Sequence, residues 1–315
     1  MEKIAAPKQY QNFEVDIHPG EGRDYPLVVR SPAGEAEGVL KFPYDRLELE
    51  NRLLRLQNVL LHSGGKRRSV LTESEKDVED FGRQLFTAVF NEEIRARYEA
   101  SLVKAGETGQ GLRIQLRIQD PGLAALPWEY LYDANQRQYL CLSLNTPVVR
   151  YLPLPRPSQA LEVKLPLRLL AMAVSPHDLD PMNLEQERLR VQKAVQKLVD
   201  RGDLELQWVE GQTWQHLQDA LRQGPWHLFY FSGHGDYNPW IQEGAGAVAD
   251  AHGLSAMLRA SKLARLMADH DVLRLVILND CEGGRGSQQD IFSSTAAILV
   301  GQGVPAVLAM QYEIT

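Results

Sequence analysis

Two short segments bring reactive side chains up against glycine. One is His227-Leu228-Phe229-Tyr230-Phe231-Ser232-Gly233-His234-Gly235-Asp236; the other is Leu275-Val276-Ile277-Leu278-Asn279-Asp280-Cys281-Glu282-Gly283-Gly284. Each begins as an apolar, strand-like run and stops at an imidazole or a thiol. A thiol beside an imidazole can act as a nucleophile: the ring takes the proton and the thiolate attacks a carbonyl carbon. The reaction also needs N–H donors for the oxyanion and an acid for the leaving amine. Cys281 is the candidate nucleophile and His234 the candidate acid and base. The backbone N–H groups of Gly235 and Cys281 are the natural oxyanion donors, because glycine lets a substrate approach without a Cβ in the way. Asp236, Asp280 and Glu282 flank the pair and are candidate substrate-binding residues.

Residues so distant in sequence meet only if the elements before them run side by side. The second half of the chain alternates strand and helix patterns. Strands are expected over 167–174, 204–209, 228–231, 273–278 and 306–312. Helices are expected over 184–199, 261–268 and 292–300, with another opened by Thr213 and stopped at Gly224-Pro225. Strand–helix alternation with apolar strands implies a mostly parallel α/β sheet flanked by helices. Sites in such sheets form at the C-terminal strand edges, where His234 and Cys281 fall. Asp236 to Gly253, rich in Gly and Ala, reads as a mobile loop bordering the cleft.

The first half reads as an α+β lobe. Strands are expected at 13–17, 25–29 and 38–42, closing a small antiparallel set, and at 112–118, where apolar residues alternate. The stretches 127–132 and 148–152 continue the β reading. Leucines from 47 to 60 mark one helix. Thr72 with Glu75 is a capping box for the next, with Val78, Phe81, Leu85 and Val89 as its buried stripe. Prolines at 153, 155, 157 and 166 mark a linker. The expected domains are 1–157 and 158–315.

Composition narrows the function classes. The chain has 315 residues, 44% hydrophobic and 24% charged, as in ordinary globular proteins. No apolar run reaches the roughly 18–20 residues of a membrane helix, and the N-terminus lacks the core of a signal peptide. The cytosol is the expected compartment, and no membrane partner is expected. A net charge of −7 argues against direct nucleic-acid contact; Lys66-Arg67-Arg68 reads as a solvated loop. With two cysteines, a disulfide framework is not expected. Cys141, inside Tyr139-Leu140-Cys141-Leu142, is expected to be buried. His227, His252 and His270 lack partners at metal spacing, so neither a metal nor another cofactor is expected. Gly244-Ala245-Gly246-Ala247-Val248-Ala249 matches a dinucleotide fingerprint in letters only and reads as a loop.

These residues resemble the bacterial CHAT-domain proteases, caspase-like peptidases of clan CD. The likeness rests on Phe231-Ser232-Gly233-His234-Gly235-Asp236, on Asn279-Asp280-Cys281-Glu282-Gly283 and on Gly303-Val304-Pro305-Ala306-Val307-Leu308-Ala309-Met310. It extends upstream through Ala125-Leu126-Pro127-Trp128-Glu129-Tyr130-Leu131-Tyr132-Asp133 and Thr146-Pro147-Val148-Val149-Arg150-Tyr151. The histidine about 50 residues before the cysteine also fits caspases. The resemblance implies a caspase-like sheet and a His234–Cys281 dyad without metal. It implies cleavage of protein or peptide substrates and control by a sensor domain or partner chain. It further implies a place in bacterial defence, sometimes CRISPR-associated. The first lobe would then be a structural or pseudo-protease part.

Two positions depart from the family. Asp280 stands where a small residue is usual; it would raise the thiol pKa or select a basic residue before the scissile bond. Related arginine-specific peptidases carry their acid two residues before the cysteine, where this chain has Asn279. CHAT domains also continue past the Met310-Gln311-Tyr312-Glu313 strand, so an end at Thr315 predicts a truncated, processed or split protein. Competing readings are an inactive caspase-like scaffold, or another α/β hydrolase or nucleotide-binding module.

Overall fold

The computed structural model describes residues 8–62, 73–152, 164–238, 243–280 and 291–310. Its contacts divide the chain into two units, Met1–Pro153 and Leu154–Thr315. Thr72, Lys66-Arg67-Arg68 and most of the proline-rich segment lie outside the described residues.

The first unit is built on a five-stranded sheet, ordered β3-β2-β1-β4-β7. β1 (Tyr10–Ile17), β2 (Asp24–Ser31) and β3 (Gly34–Lys41) form the expected antiparallel set. The helices α1 (Arg46–His62), α2 (Glu73–Val89) and α3 (Glu92–Glu107) follow. β4 (Gly111–Ile118) then returns parallel to β1. After α4 (Pro121–Ala124) and the small hairpin of β5 (Tyr132–Asp133) and β6 (Gln138–Tyr139), β7 (Val148–Arg150) adds parallel to β4. Phe13, Val15 and Ile17 of β1 meet Phe81, Leu85 and Val89 of α2 in one core. The helix stripe at 78, 81, 85 and 89 therefore packs as its period requires. α3 carries few apolar residues, and its signal lies at its start. Asn91 caps Ile94 N–H, and Glu92 and Glu93 favour the positive end of the helix dipole.

Residues 127–132 are mostly not strand. Trp128–Tyr130 is a 3-10 turn closed by Tyr130 N–H to Pro127 O at 3.1 Å and Leu131 N–H to Trp128 O at 3.1 Å. The turn drives Trp128 fully into the core, where its Nε1–H donates to Leu123 O at 2.7 Å. An apolar, aromatic run needing one deep anchor can satisfy its backbone locally, without a ladder partner.

The second unit holds a five-stranded, wholly parallel sheet ordered β15-β14-β10-β8-β9. Its first elements are β8 (Leu167–Ala173), α5 (Leu184–Asp200), β9 (Leu204–Trp208), α6 (Trp214–Arg222) and β10 (Leu228–Gly233). A three-stranded antiparallel sheet interrupts the alternation: β11 (Gly235–Asn238), β12 (Glu243–Ala249) and β13 (Ser255–Arg259). The chain then runs through α7 (Ala260–Ala268), β14 (Leu275–Asp280), α8 (Ile291–Gly301) and β15 (Val307–Ala309). β9 lies outside β8, while β10, β14 and β15 step away on the other side. The order of growth thus reverses between β8 and β10, where parallel sheets open a crevice at the carboxyl ends. Phe229, Phe231, Val276 and Leu278 are buried with residues of α6, α7 and α8.

The stretch from Asp236 to Gly253, expected as a loop, is largely strand among its described residues. A Cβ on Gly246 would stand 3.2 Å from the Phe231 ring, a tight approach that favours glycine at this position. Glu243 anchors the far end, accepting from Arg259 at 2.8 Å and from Ser261 N–H at 2.6 Å.

Candidate active site

β10 and β14 pair in parallel through Ser232 with Asn279 and Gly233 with Asp280. The residue after β10 is His234; the residue after β14 is Cys281, which lies outside the described residues, as does Glu282. His234 is 4% exposed. Its main-chain oxygen accepts from Ala247 N–H at 2.8 Å, which fixes the backbone against β12. Its Nε2 lies 2.7 Å from the carbonyl oxygen of Asp180. A carbonyl only accepts, so Nε2 carries the proton, and in the neutral ring Nδ1 is the basic nitrogen.

The loop holding Asp180 is pinned on both sides. Ser175 N–H donates to Gln212 Oε1 at 2.6 Å, and Met182 N–H donates to Ser175 Oγ at 3.0 Å. His177 N–H donates to Gly253 O at 2.9 Å. Gly253 adopts φ +78°, and a Cβ there would stand 2.7 Å from the His177 ring, so only glycine fits. The Asp178 carboxylate accepts from Ser255 N–H and from Ser255 Oγ, each at 2.7 Å. Those hydrogen bonds, the hydroxyl's first, hold the Asp178 carboxyl below its ordinary value. Asn183 then caps α5 by accepting Gln186 N–H at 3.0 Å.

Gly235 begins β11 opposite Gly246. Ala247 bonds His234, so the register makes 235–246 a non-hydrogen-bonded pair. The Gly235 N–H therefore points away from β12. Asp236, the next residue of β11, is exposed. Asp280 ends β14 beside Gly233.

The CHAT domain family model matches residues 79–315. This chain belongs to the CHAT-domain family. That family is caspase-like and protease-related, in keeping with the parallel sheet flanked by helices. No curated protein matches the chain. The CHAT match begins inside α2 of the first unit, takes in β4 and β7 of the first sheet but not β1 to β3, and runs through the second unit.

Some features of this CHAT chain differ from the sequence reading or escaped it. Cys141, expected to be buried, is exposed. Leu140 is the buried member of its apolar run, and the 3-10 turn Leu140–Leu142 swings Cys141 and Leu142 outward. Partial burial of the sulfur, and then the Glu129 carboxylate, push the Cys141 thiol above its ordinary value. Asp180 acts through a backbone carbonyl, which has no side-chain signature. Glu187 did leave a signal: Val191 and Val195 mark the inner face of α5, and one step of four back reaches Glu187, a carboxylate at a core position. Among the described residues, no group of His, Cys, Asp or Glu is placed to hold a metal, and no helix is long and apolar enough to cross a membrane.

Proposed function

We propose that this chain is a cysteine endopeptidase working through His234 and Cys281. The observation that carries the reading is the β10–β14 register, which pairs the residue before the imidazole with the residue before the thiol. The Asp180 carbonyl supports it by holding Nε2–H and directing the basic Nδ1 to the reaction.

Cys281 gives its proton to His234 Nδ1, and the thiolate attacks the scissile carbonyl carbon. The oxyanion is held by the N–H groups of Gly235 and Cys281. The imidazolium then protonates the leaving amine as the C–N bond breaks, leaving a thioester. His234 next takes a proton from water, whose oxygen attacks the thioester; the C–S bond breaks, the imidazolium returns the proton to the Cys281 sulfur, and the acid product is released. Asp236, Asp280 and Glu282 bind substrate. The substrates are proteins, and the protease is an effector in bacterial defence or signalling, controlled by a sensor domain or partner chain in the cytoplasm. The first unit is its structural or pseudo-protease part.

A peptidyl electrophile should label Cys281, but not in His234→Ala. Comparing new protein N-termini formed with wild type and with Cys281→Ala should show cleavages that need the thiol. Equal N-termini in both would overturn the reading; full biological activity in Cys281→Ala would favour the scaffold.

A further inference from the structure

We infer that Glu187 is a positioning residue, tying the start of α5 to the two strand ends that lead to His234 and Cys281; this rests on the peptidase reading above. Glu187 stands in the first turns of α5 and is 5% exposed. Its Oε1 accepts from the Tyr230 hydroxyl of β10 and, at 3.1 Å, from Asn279 Nδ2 of β14. Asn279 Nδ2 also donates to the Tyr230 oxygen at 2.9 Å, closing a triangle. Burial, then the hydrogen bond to Glu187, raises the Tyr230 hydroxyl well above its ordinary value, so it stays a neutral donor.

Each corner of the triangle leads to one part of the site. Tyr230 and Ser232 lie on one face of β10, and His234 follows the strand directly. Asn279 precedes Cys281 by two positions. Glu187 holds the helix that begins just after the loop bearing the Asp180 carbonyl, which in turn holds His234. Stability alone does not call for a carboxylate here. Burying one is costly unless it is well paired, and a Leu or Met would fill the space. Arg190 pairs with it at 3.9 Å but is itself 67% exposed, and such a pair contributes little. What the carboxylate supplies is one oxygen accepting from two strands at once.

The test is alkylation of Cys281 by iodoacetamide from pH 5 to 9, using the full chain with Cys141→Ser to leave one thiol. No substrate is needed. Glu187→Gln keeps an Oε1 acceptor and should stay within about threefold of wild type. Glu187→Leu removes the acceptor and should slow alkylation at pH 7 by roughly tenfold. Its pH midpoint should move toward the free-thiol value of about 8.5. Thermal unfolding followed alongside identifies a variant that has lost its fold. In that event Tyr230→Phe, which removes the hydroxyl's bonds to Glu187 and Asn279 but leaves the bond from Asn279 to Glu187, is read in the same way and should show a shift in the same direction. A folded variant with wild-type rate and pH profile would overturn the positioning role. The two ideas fail separately. If wild type cleaves no protein but these alkylation differences persist, the peptidase reading falls. If wild type cleaves and the variants match it in rate and profile, the positioning role falls.

Discussion

β10 has a histidine at each end, and the two are used in opposite ways. At the amino end, His227 Nδ1 accepts the Arg168 N–H of β8 at 2.9 Å. Its lone pair is spent on the sheet. The neighbourhood is cationic and closed: Arg168 stacks on the Trp226 ring at 4.2 Å, and Arg274 N–H donates to His227 O at 2.7 Å. At the carboxyl end, His234 donates Nε2–H to the Asp180 carbonyl at 2.7 Å, and the neutral ring keeps Nδ1 as its base. An accepting histidine locks a fold, and a donating one is set up for proton transfer. The difference comes from parallel geometry. The amino ends of β8 and β10 close on each other's backbone, whereas at the carboxyl ends the chain leaves for loops that bring other groups over the edge.

The largest effects should fall at the carboxyl end alone. Replacing His234 or Cys281 with Ala should lower peptide hydrolysis by roughly 10³-fold or more, with thermal unfolding little changed. His227→Phe should leave hydrolysis within about twofold while lowering stability. Initial rates and melting curves for the three variants decide the matter. A His227 variant that lost activity as His234→Ala does, while still folded, would break the contrast.

A smaller effect should follow from loosening what holds the Asp180 carbonyl. Asp178→Ala removes the acceptor for both Ser255 donors, freeing the loop on one side. Misplacing the carbonyl costs orientation of the ring rather than its presence, so kcat should fall on the order of tenfold with KM nearly unchanged. A change confined to KM would assign Asp178 to substrate contact instead.

The sequence showed unequal parts of this architecture. The parallel strands were legible because each is a continuous apolar run between turn signals, and β1 and β4 because they alternate. The candidate pair was legible because His234 and Cys281 follow such runs directly. β12 was not: Gly244 to Ala249 has a single β-branched residue, Val248, among Gly and Ala, and the closeness of Phe231 to Gly246 has no mark in the local pattern. The Asp180 carbonyl was not legible either, since any residue type supplies one. Cys141 misled because an apolar run is buried in a strand but splits into inner and outer residues in a 3-10 turn. Nearest-neighbour patterns therefore revealed the elements, while the groups that orient His234 depend on contacts between distant loops.

The finest test of the two ends uses pH. Partial burial of His227, and then the charges of Arg274 and Arg168, hold its imidazole below the ordinary value. The unfolded chain therefore binds a proton at this site more readily than the folded one. The stabilisation is fully present above the unfolded value of about 6.5 and is lost as pH falls below it through the folded value. Below both values it has gone and changes no further. The geometry gives the same sign, because a protonated Nδ1 cannot accept the Arg168 N–H. His227→Phe lacks that acceptor at every pH. Its unfolding midpoint should lie about 2–4 °C below wild type near neutrality, the shift expected for about 1 kcal/mol in a unit of this size. The gap should narrow as pH drops below about 6.5. Melting curves at half-unit steps from pH 7.5 to 4.5 measure it directly. A gap that widens toward acid would mean His227 is charged in the fold, and would erase the distinction between the two ends of β10.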